Sequence, residues 1–257
     1  MSQYLRSMGE EVVECDLRLG GKYDLRGIKV NFDGINRVYF LAWDVGGAKY
    51  LYRKEYQLKQ LDWNLRLLTN VMPQLQMSKT PFLFASSQLA EGSSTAYGVT
   101  KRLGEVWTNL LGGHQVRLWN VYGPLEEPSQ RTHVVSDFVC QALTTGEIRM
   151  LTTGDEQRQF IHVQDACKGL HQVICMGLQG IHDLTSFEWM SIRRLADIIA
   201  DYTGAKVIPG ERIGSTSSTR ITGRIPNWSP SVRIEDGLAT MVDEMRHCLQ
   251  QKEGDNE

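Results

Sequence analysis

The chain has 257 residues, a formal net charge of −2 and a hydrophobic content of 41%. This length and apolar content are enough for one α/β domain with a small appended lobe. A chain so close to neutral offers no positive field for nucleic acid or for an acidic membrane surface, so we expect neither as a partner.

The five cysteines include no C-x-x-C pair and are odd in number. Neither a metal site nor a disulfide framework is therefore expected, which favours a reducing compartment. The N-terminal residues lack the apolar stretch of a signal peptide, and no apolar run approaches the length of a membrane span. These features predict a cytoplasmic protein.

Strand-like and helix-like stretches alternate through the first half of the chain. The strand-like apolar runs are Glu11–Leu17, Arg37–Ala42, Pro81–Ser87 and Gln115–Val121. Helical patterns cover Tyr56–Met72, which Pro73 is expected to end, and Tyr97–Leu111, which two glycines follow. This alternation predicts an α/β fold with a doubly wound parallel sheet.

The pattern changes after Pro124. The elements predicted there are the helices Ser136–Thr144, Asp165–Met176 and Ser191–Thr203, and the short strand Ile148–Leu151. We therefore divide the chain into a first part, residues 1–124, and a smaller C-terminal α/β lobe, residues 125–257, which is interleaved with the sheet.

The pentad Tyr97-Gly98-Val99-Thr100-Lys101 is the most informative motif. Residues i and i+4 share one face of a helix, so Lys101 is expected beside Tyr97. A nearby ammonium favours phenolate and lowers the pKa of tyrosine toward the range of a general base. Ser87 ends the preceding apolar run, where its hydroxyl can hold the same substrate oxygen. An isolated Tyr and Lys at this spacing are usually a surface pair, but the serine favours redox chemistry on a sugar C–OH.

Several further segments, in order, resemble one known family. Arg117-Leu-Trp-Asn-Val-Tyr-Gly-Pro124 is similar to an R-x-x-N-V-Y-G-P motif, and Gly154–Asp165 is similar to G-D-G-x-x-R-D-F-x-x-V-x-D. Gly180–Ser186 resembles a later strand, and Trp228-Ser-Pro230 resembles a C-terminal G-W-x-P motif. Together with the pentad, these motifs resemble the extended short-chain dehydrogenase/reductase family of NAD(P)-dependent nucleotide-sugar epimerases and dehydratases.

The resemblance implies a Rossmann-like fold and transient oxidation of a nucleoside-diphosphate sugar to a keto intermediate. It implies that Tyr97 is the base, that Lys101 tunes it and holds the nicotinamide ribose, and that Ser87 binds the reacting oxygen. Asn120 and Arg158 carry over as substrate contacts. Taken alone, Asn120 more often satisfies backbone groups at a strand end, and Arg158 more often pairs with Asp155 on the surface.

The resemblance also implies NAD as the cofactor. Asp16, at the end of the expected strand, would meet the adenosine ribose, and Asp24 and Leu25 would lie on the adenine side. The implied cofactor contacts are Asp16, Asp24, Leu25, Leu41, Ala42, Trp43, Asn64, Tyr97 and Lys101. Asp16 favours NAD over NADP because a carboxylate repels a 2′-phosphate, although Arg18 tempers this preference. Each acid, taken alone, is equally well explained as a solvated strand-end residue.

One element of the family pattern has no counterpart in the sequence. A dinucleotide site of this type needs a glycine-rich turn between the first strand and the first helix. Residues Ser2–Met8 resemble the later part of that helix, so the first strand and its turn are expected to be absent. Because the first strand is central in this fold, its two neighbours would then lose a ladder partner.

Departures from the family pattern narrow the expected reaction. Gln88 and Leu89 stand where family dehydratases carry an Asp-Glu pair, so dehydration is disfavoured. We expect an NAD-dependent epimerase, without assigning the sugar or the carbon that is inverted. The alternatives are a catalytically inactive sugar-nucleotide-binding member that has lost NAD binding, and an incomplete gene product. Family members commonly pair through two helices, which here would be residues 56–72 and 97–111 of a homodimer.

Overall fold

The computed structural model describes residues 1–124, 126, 128–216 and 220–254 as a mixed α/β protein. Its α-helices are α1 (Ser2–Ser7), α2 (Ala48–Leu51), α3 (Lys54–Ser78), α4 (Ala96–Leu110), α5 (Val134–Thr145), α6 (Val163–Cys175), α7 (Ile192–Thr203) and α8 (Ile234–Gly254). Its strands are β1 (Val38–Phe40), β2 (Phe82–Ser87), β3 (His114–Leu118), β4 (Asn120–Tyr122), β5 (Glu147–Arg149), β6 (Gln157–Arg158), β7 (Phe160–His162), β8 (Ile181–Leu184), β9 (Met190–Ser191) and β10 (Lys206–Ile208).

A four-stranded parallel sheet, in the order β1-β2-β3-β8, forms the centre of the fold. All six residues of β2 are buried, which is the pattern of a strand covered on both faces. The predicted strand Pro81–Ser87 and the predicted parallel sheet are confirmed. Strand β8 comes from the second half of the chain and completes the sheet beside β3.

Helices cover both faces of this sheet. On one face, α3 and α4 pack on an apolar cluster that includes Phe40, Leu68, Met72 and Phe84. On the other face, α6 packs on a cluster formed around Leu83, Val116, Leu170 and Leu184. Burial of these side chains, at roughly 25 cal/mol per Å² of apolar surface, is the main stabilising term.

Helix α3 is longer than the sequence indicated. It runs from Lys54 to Ser78 with Pro73 inside it, so the prediction that this proline ends the helix is wrong. A proline removes one backbone donor and disfavours the helix locally. Here Met72 and Leu75 are buried on either side of it, and this packing keeps the last turns helical.

The predicted strand Glu11–Leu17 is also wrong. Residues 11–16 are irregular and continue into a 3₁₀ turn at Leu17–Leu19. A strand exists only where a neighbour completes its hydrogen bonds, and among the described residues no strand lies along the outer edge of β1. The following segment is instead held by side chains of α3, because Asn70 donates to the carbonyls of Leu25 and Ile28.

The predicted strand Gln115–Val121 is divided in two. β3 ends at Leu118, and β4 leaves the main sheet to pair with β7. A second core then forms between α5, α7 and α8, around Val139, Leu195, Ile199 and Leu238. The predicted helix after Ser191 is confirmed: the Ser191 hydroxyl accepts from the backbone N–H of Arg194, and Gly204 ends the helix with φ 76°.

Within the ranges described above, no helix is both long and apolar enough to cross a membrane.

Candidate functional site

Helix α4 begins beside the end of β2 and is held there by capping and by close packing. The Thr95 hydroxyl caps the helix by accepting from the backbone N–H of Gly98 at 3.1 Å. A Cβ at Gly98 would lie 2.4 Å from the carbonyl oxygen of Leu89, and one at Gly104 would lie 2.3 Å from the Phe84 ring. Gly104 therefore lets α4 approach β2, and Gly98 lets it approach the turn after β2, more closely than any larger residue would allow.

This approach brings together the three residues that the sequence singled out. Tyr97 and Lys101 lie on one face of α4 and are 8% and 4% exposed. The Lys101 Nζ lies 5.7 Å from the centroid of the Tyr97 ring. Ser87, at the end of β2, lies close enough to Tyr97 to lower the pKa of its phenol, and its hydroxyl accepts from the backbone N–H of Leu89 at 3.2 Å. The Tyr–Lys pair is thus a buried pair of the helix face that meets the sheet, rather than a surface pair.

The Tyr97–Lys101 pair is covered by residues 41–51, the segment that follows β1 and includes α2. The Trp43 ring lies 4.1 Å from Lys101 Nζ, and Lys101 donates to the carbonyl of Ala85 at 2.5 Å. Tyr97 packs in a small cluster with Tyr50 and Leu51. Trp43 is half-buried, and its Nε1 donor is buried without a hydrogen-bond partner within the described structure.

Burial controls the protonation of both residues. It raises the pKa of Tyr97 to about 12, and the Ser87 hydroxyl offsets only part of this rise. Burial also holds the pKa of Lys101 well below its usual value. Our expectation that Lys101 lowers the pKa of Tyr97 is therefore wrong for this arrangement. The physical reason is that loss of water outweighs the ammonium, whose hydrogen bond goes to Ala85.

A buried ion-pair network lies one helical turn beyond Lys101. The Glu105 carboxylate accepts from Arg117 Nε at 2.7 Å, from Arg117 Nη2 at 3.0 Å and from the Ser86 hydroxyl at 2.7 Å. Arg117 also reaches Glu91 at 2.6 Å. Glu105 was not predicted as a site residue. Its spacing of four residues after Lys101 was the available signal.

The two acids expected near the adenosine are held locally. Asp16 accepts from Arg18, with 2.6 Å between Oδ2 and Nη2, and Asp24 accepts in the same way from Arg26, also at 2.6 Å. These hydrogen bonds lower the pKa of both carboxyl groups. Asp16 caps a 3₁₀ turn rather than ending a strand, so its position differs from the one expected.

The other implied cofactor contacts lie along the segment after β1 and on α3. Leu41 is 37% exposed, while Leu25 and Ala42 pack against the apolar cluster on which α3 and α4 lie. Asn64 is fully buried and bonds to both the backbone N–H and the carbonyl of Asp44, at 2.8 Å and 3.2 Å. Asn64 therefore holds the segment that covers Tyr97 and Lys101.

The two implied substrate contacts have different surroundings. The Asn120 amide donates to the carbonyl of Gln159 at 2.8 Å, which is the backbone role that an isolated strand-end Asn suggests. Arg158 is half-buried and donates to the carbonyl of Gln157 at 2.7 Å. It is not bonded to Asp155 in the described structure, so its charge is available to an anionic ligand.

A second ion-pair network joins the covering segment to the C-terminal half. The buried carboxylate of Asp44 accepts from Arg131 and from the Tyr50 hydroxyl, the latter at 2.8 Å. Lys49 pairs with Asp137 of α5 at 2.8 Å. Contact between Gly47 and Thr132 is so close that a Cβ there would lie 2.3 Å from the Thr132 carbonyl oxygen. Arg131 belongs to none of the motifs found in the sequence.

The fold is a Rossmann-like α/β arrangement in which Ser87, Tyr97 and Lys101 lie together where β2 ends and α4 begins. Residues 76–182 match the model of the NAD-dependent epimerase/dehydratase family. This match includes Ser87, Tyr97, Lys101, Asn120 and Arg158. The resemblance to this family that the motifs indicated is therefore confirmed.

Individual proteins show the same relationship. The UDP-glucose 4-epimerase of Mycolicibacterium smegmatis is 25% identical over 187 residues, which are 66% of this chain and 59% of that protein. The present chain thus spans less than two thirds of that relative. An epimerase of Methanothermobacter thermautotrophicus has a similar fold, with a TM-score of 0.71, 21% identity and coverage of 86% of this chain and 75% of that one.

The enzyme WbmF of Bordetella bronchiseptica, in complex with NAD⁺ and UDP, is also similar in structure. Its TM-score is 0.70 at 21% identity, and the match covers 90% of this chain and 76% of WbmF. At this identity the likeness establishes the fold, and the Rossmann-like architecture predicted from the sequence is confirmed.

Proposed function

We propose that this protein is an NAD-dependent epimerase of a nucleoside-diphosphate sugar, acting through a transient keto intermediate. The observation that carries the proposal is the packing of Ser87, Tyr97 and Lys101 around one point, where β2 ends and α4 begins. This set of a hydroxyl, a phenol and an ammonium suits removal and return of a proton at a sugar C–OH.

The residues at the nicotinamide end fit NAD chemically. Lys101 and Tyr97 supply the donors that would hold the nicotinamide ribose, and the buried, unpartnered Nε1 of Trp43 is a further donor at that point. Asp16 would hold the adenosine ribose, and its hydrogen bonds to Arg18 keep it ionised. The glycine pair between β1 and α2, Gly46 and Gly47, packs against Arg131 and Thr132, so it is not proposed as the turn that meets the pyrophosphate. When bound, NAD supplies the acceptor and donor of hydride.

The protein's own residues then move the proton. Tyr97 takes the proton from the substrate hydroxyl, while Ser87 donates a hydrogen bond to the same oxygen. Since burial raises the pKa of Tyr97, the phenolate forms only when the Lys101 ammonium turns from the Ala85 carbonyl toward the phenol. When hydride returns to the opposite face of the oxidised carbon, Tyr97 would give its proton back to the carbonyl oxygen, and the hydroxyl of inverted configuration would form.

The nucleotide is proposed to bind to the C-terminal half, with residues 1–124 as the cofactor part and 125–257 as the substrate lobe. Arg158 has the charge and the planar donors for a diphosphate. Asn120 pairs in register with Phe160, two residues after Arg158. The UDP-glucose 4-epimerase relative and the UDP-bound WbmF structure support this substrate class.

A homodimer is proposed on the outer face of α4. Four of its apolar side chains are 42%, 44%, 49% and 77% exposed and recur every three or four residues along one side of the helix: Val99, Leu103, Val106 and Leu110. Leu58 of the neighbouring α3 is 76% exposed. An apolar stripe of this kind is typical of a helix–helix interface. We propose neither nucleic acid nor a membrane as a partner. The cysteine pattern supports the proposal of a cytoplasmic location.

Two measurements test the proposal. Isothermal titration calorimetry should detect NAD and UDP binding to the purified protein. Incubation with NAD and a panel of UDP-, GDP- and dTDP-sugars should yield an epimer, detected by chromatography and NMR. UDP binding without NAD binding would instead favour an inactive sugar-nucleotide-binding member, a role consistent with the covering of Lys101 by Trp43.

A further inference from the structure

Glu105 occupies a position that a charged residue rarely holds. It is 3% exposed on α4, between the helix and the sheet. Its carboxylate accepts from Ser86 on β2 and from two nitrogens of Arg117 on β3, with all three distances between 2.7 Å and 3.0 Å. A buried carboxylate is costly unless it is paired and hydrogen-bonded, and these contacts meet that condition.

The contacts of Glu105 join α4 to two neighbouring strands, β2 and β3. Ser86 and Arg117 are register partners in the parallel pair β2–β3, and both point to the side of the sheet on which Glu105 lies. Ser86 directly precedes Ser87, whose hydroxyl meets Tyr97. Through Ser86, Glu105 therefore fixes the end of β2 relative to α4, on which Tyr97 and Lys101 stand.

Glu105 also faces Lys101 electrostatically. The two residues are one helical turn apart on the buried side of α4, and the negative charge of Glu105 raises the pKa of Lys101 against the effect of burial. The other titratable or charged groups around Lys101 are Tyr97 on the same helix and Arg117, which reaches Glu105 from β3. β2 and the segment after β1 face the amine with the Phe84 and Trp43 rings.

We propose that Glu105 is a positioning residue of the Tyr97–Lys101 site, which supplies the negative charge that Lys101 needs and fixes the serine end of β2 against α4. Its importance for catalysis rests on the proposed function. Its effect on Lys101 does not, because that effect exists in the protein without any ligand.

The test is the titration of Lys101 in the ligand-free protein, followed by NMR of selectively ¹³C- and ¹⁵N-labelled lysine. The signal of Lys101 is assigned by its loss in Lys101→Met. In Glu105→Gln, which keeps the shape of the side chain but removes its charge, the pKa of Lys101 should fall so that its proton affinity drops at least tenfold. Glu91→Gln is the matched control. This variant removes the charge of the other carboxylate that pairs with Arg117. Because the Glu91 side chain is 47% exposed, its loss should leave the titration of Lys101 unchanged.

Two further variants keep the inference testable if Glu105→Gln does not fold. Glu105→Asp retains the charge but withdraws it by one methylene, so it should lower the proton affinity of Lys101 in the same direction by a smaller factor. Ser86→Ala removes one hydrogen bond and no charge, and should leave that affinity unchanged. A Lys101 titration that is the same in wild type and in a folded Glu105→Gln or Glu105→Asp variant overturns the inference. Failure of the epimerase proposal would show separately, as the absence of product in wild type.

Discussion

The indole ring of Trp43 lies over the amine of Lys101, with 4.1 Å between Nζ and the ring centroid. Lys101 is the residue that the family pattern assigns to the nicotinamide ribose, and in the ligand-free protein its amine faces this ring and the Ala85 carbonyl. A cation–π contact of this kind contributes about 0.5–2 kcal/mol, which a bound ligand can replace. Trp43 therefore shields the amine of Lys101.

Removing the indole should expose Lys101. Trp43→Ala is expected to speed trinitrophenylation of the Lys101 amine by trinitrobenzenesulfonate at least tenfold, measured by peptide mass spectrometry, and to cost about 2–4 kcal/mol of stability. Trp189→Ala is the control, because Trp189 is 47% exposed and stacks edge-on with Trp119 instead. Equal protection of Lys101 in wild type and Trp43→Ala would show that the ring does not shield the amine.

The buried phenol of Tyr97 predicts a loss of stability at alkaline pH. Its pKa in the folded protein is about 12, above the value of 10.0 for an exposed tyrosine. A group whose folded pKa is raised contributes its full stability below the unfolded pKa and loses it as the pH rises from about 10 through about 12. Tyr97→Phe should remove about 2–3 kcal/mol of this pH-dependent loss, measured by urea unfolding between pH 9 and 12. An unchanged slope would mean that Tyr97 ionises freely.

The apolar stripe of α4 predicts the state of association. Leu103→Asp places a charge in the proposed interface and should shift sedimentation equilibrium at micromolar concentration from dimer to monomer. Ile213→Asp is the matched control, because Ile213 is 89% exposed and belongs to the segment after β10 rather than to α4. A monomeric wild-type protein, or a dimer that tolerates Leu103→Asp, would contradict this interface.

Asn120 and Arg158 should respond differently to truncation. Asn120 bonds to the backbone of Gln159, so Asn120→Ala should lower the free energy of unfolding by about 1 kcal/mol. Arg158→Met removes a half-buried charge that bonds only to a carbonyl among the described residues, so stability should change little. Its UDP affinity should fall roughly 10- to 100-fold, since charge-assisted hydrogen bonds contribute about 1.5–3 kcal/mol. Calorimetry that finds equal UDP affinity in wild type and Arg158→Met would exclude the proposed role.

The sequence predicted the sheet well where strands are buried on both faces. The apolar run at Phe82–Ser87 and the capped helix Ile192–Thr203 were both located within one residue, because periodicity, Ser191 and Gly204 are local signals. The run Glu11–Leu17 has the same local appearance but is irregular, because a strand also depends on a neighbour that is distant in sequence.

The site shows the same division. The motif located Ser87, Tyr97 and Lys101, and the structure brings them together as expected. The protonation states of Tyr97 and Lys101 were not predictable. The effect of Lys101 on the pKa of Tyr97 depends on burial and on the group to which the amine donates, and the spacing of the two residues indicates neither. Glu105 and Arg131 were not predicted for a related reason: their partners lie on other elements.

The most direct test of the central claim, that Tyr97 exchanges a proton with a sugar hydroxyl, is a comparison of wild type and Tyr97→Phe. Both proteins are incubated with NAD and the nucleotide sugar that wild type converts, and the rate of epimer formation is followed by NMR. At saturating NAD, Tyr97→Phe should bind UDP as wild type does, keep its fold by circular dichroism, and form epimer at least a hundredfold more slowly. Equal rates in the two proteins would contradict the assignment of Tyr97 as the base.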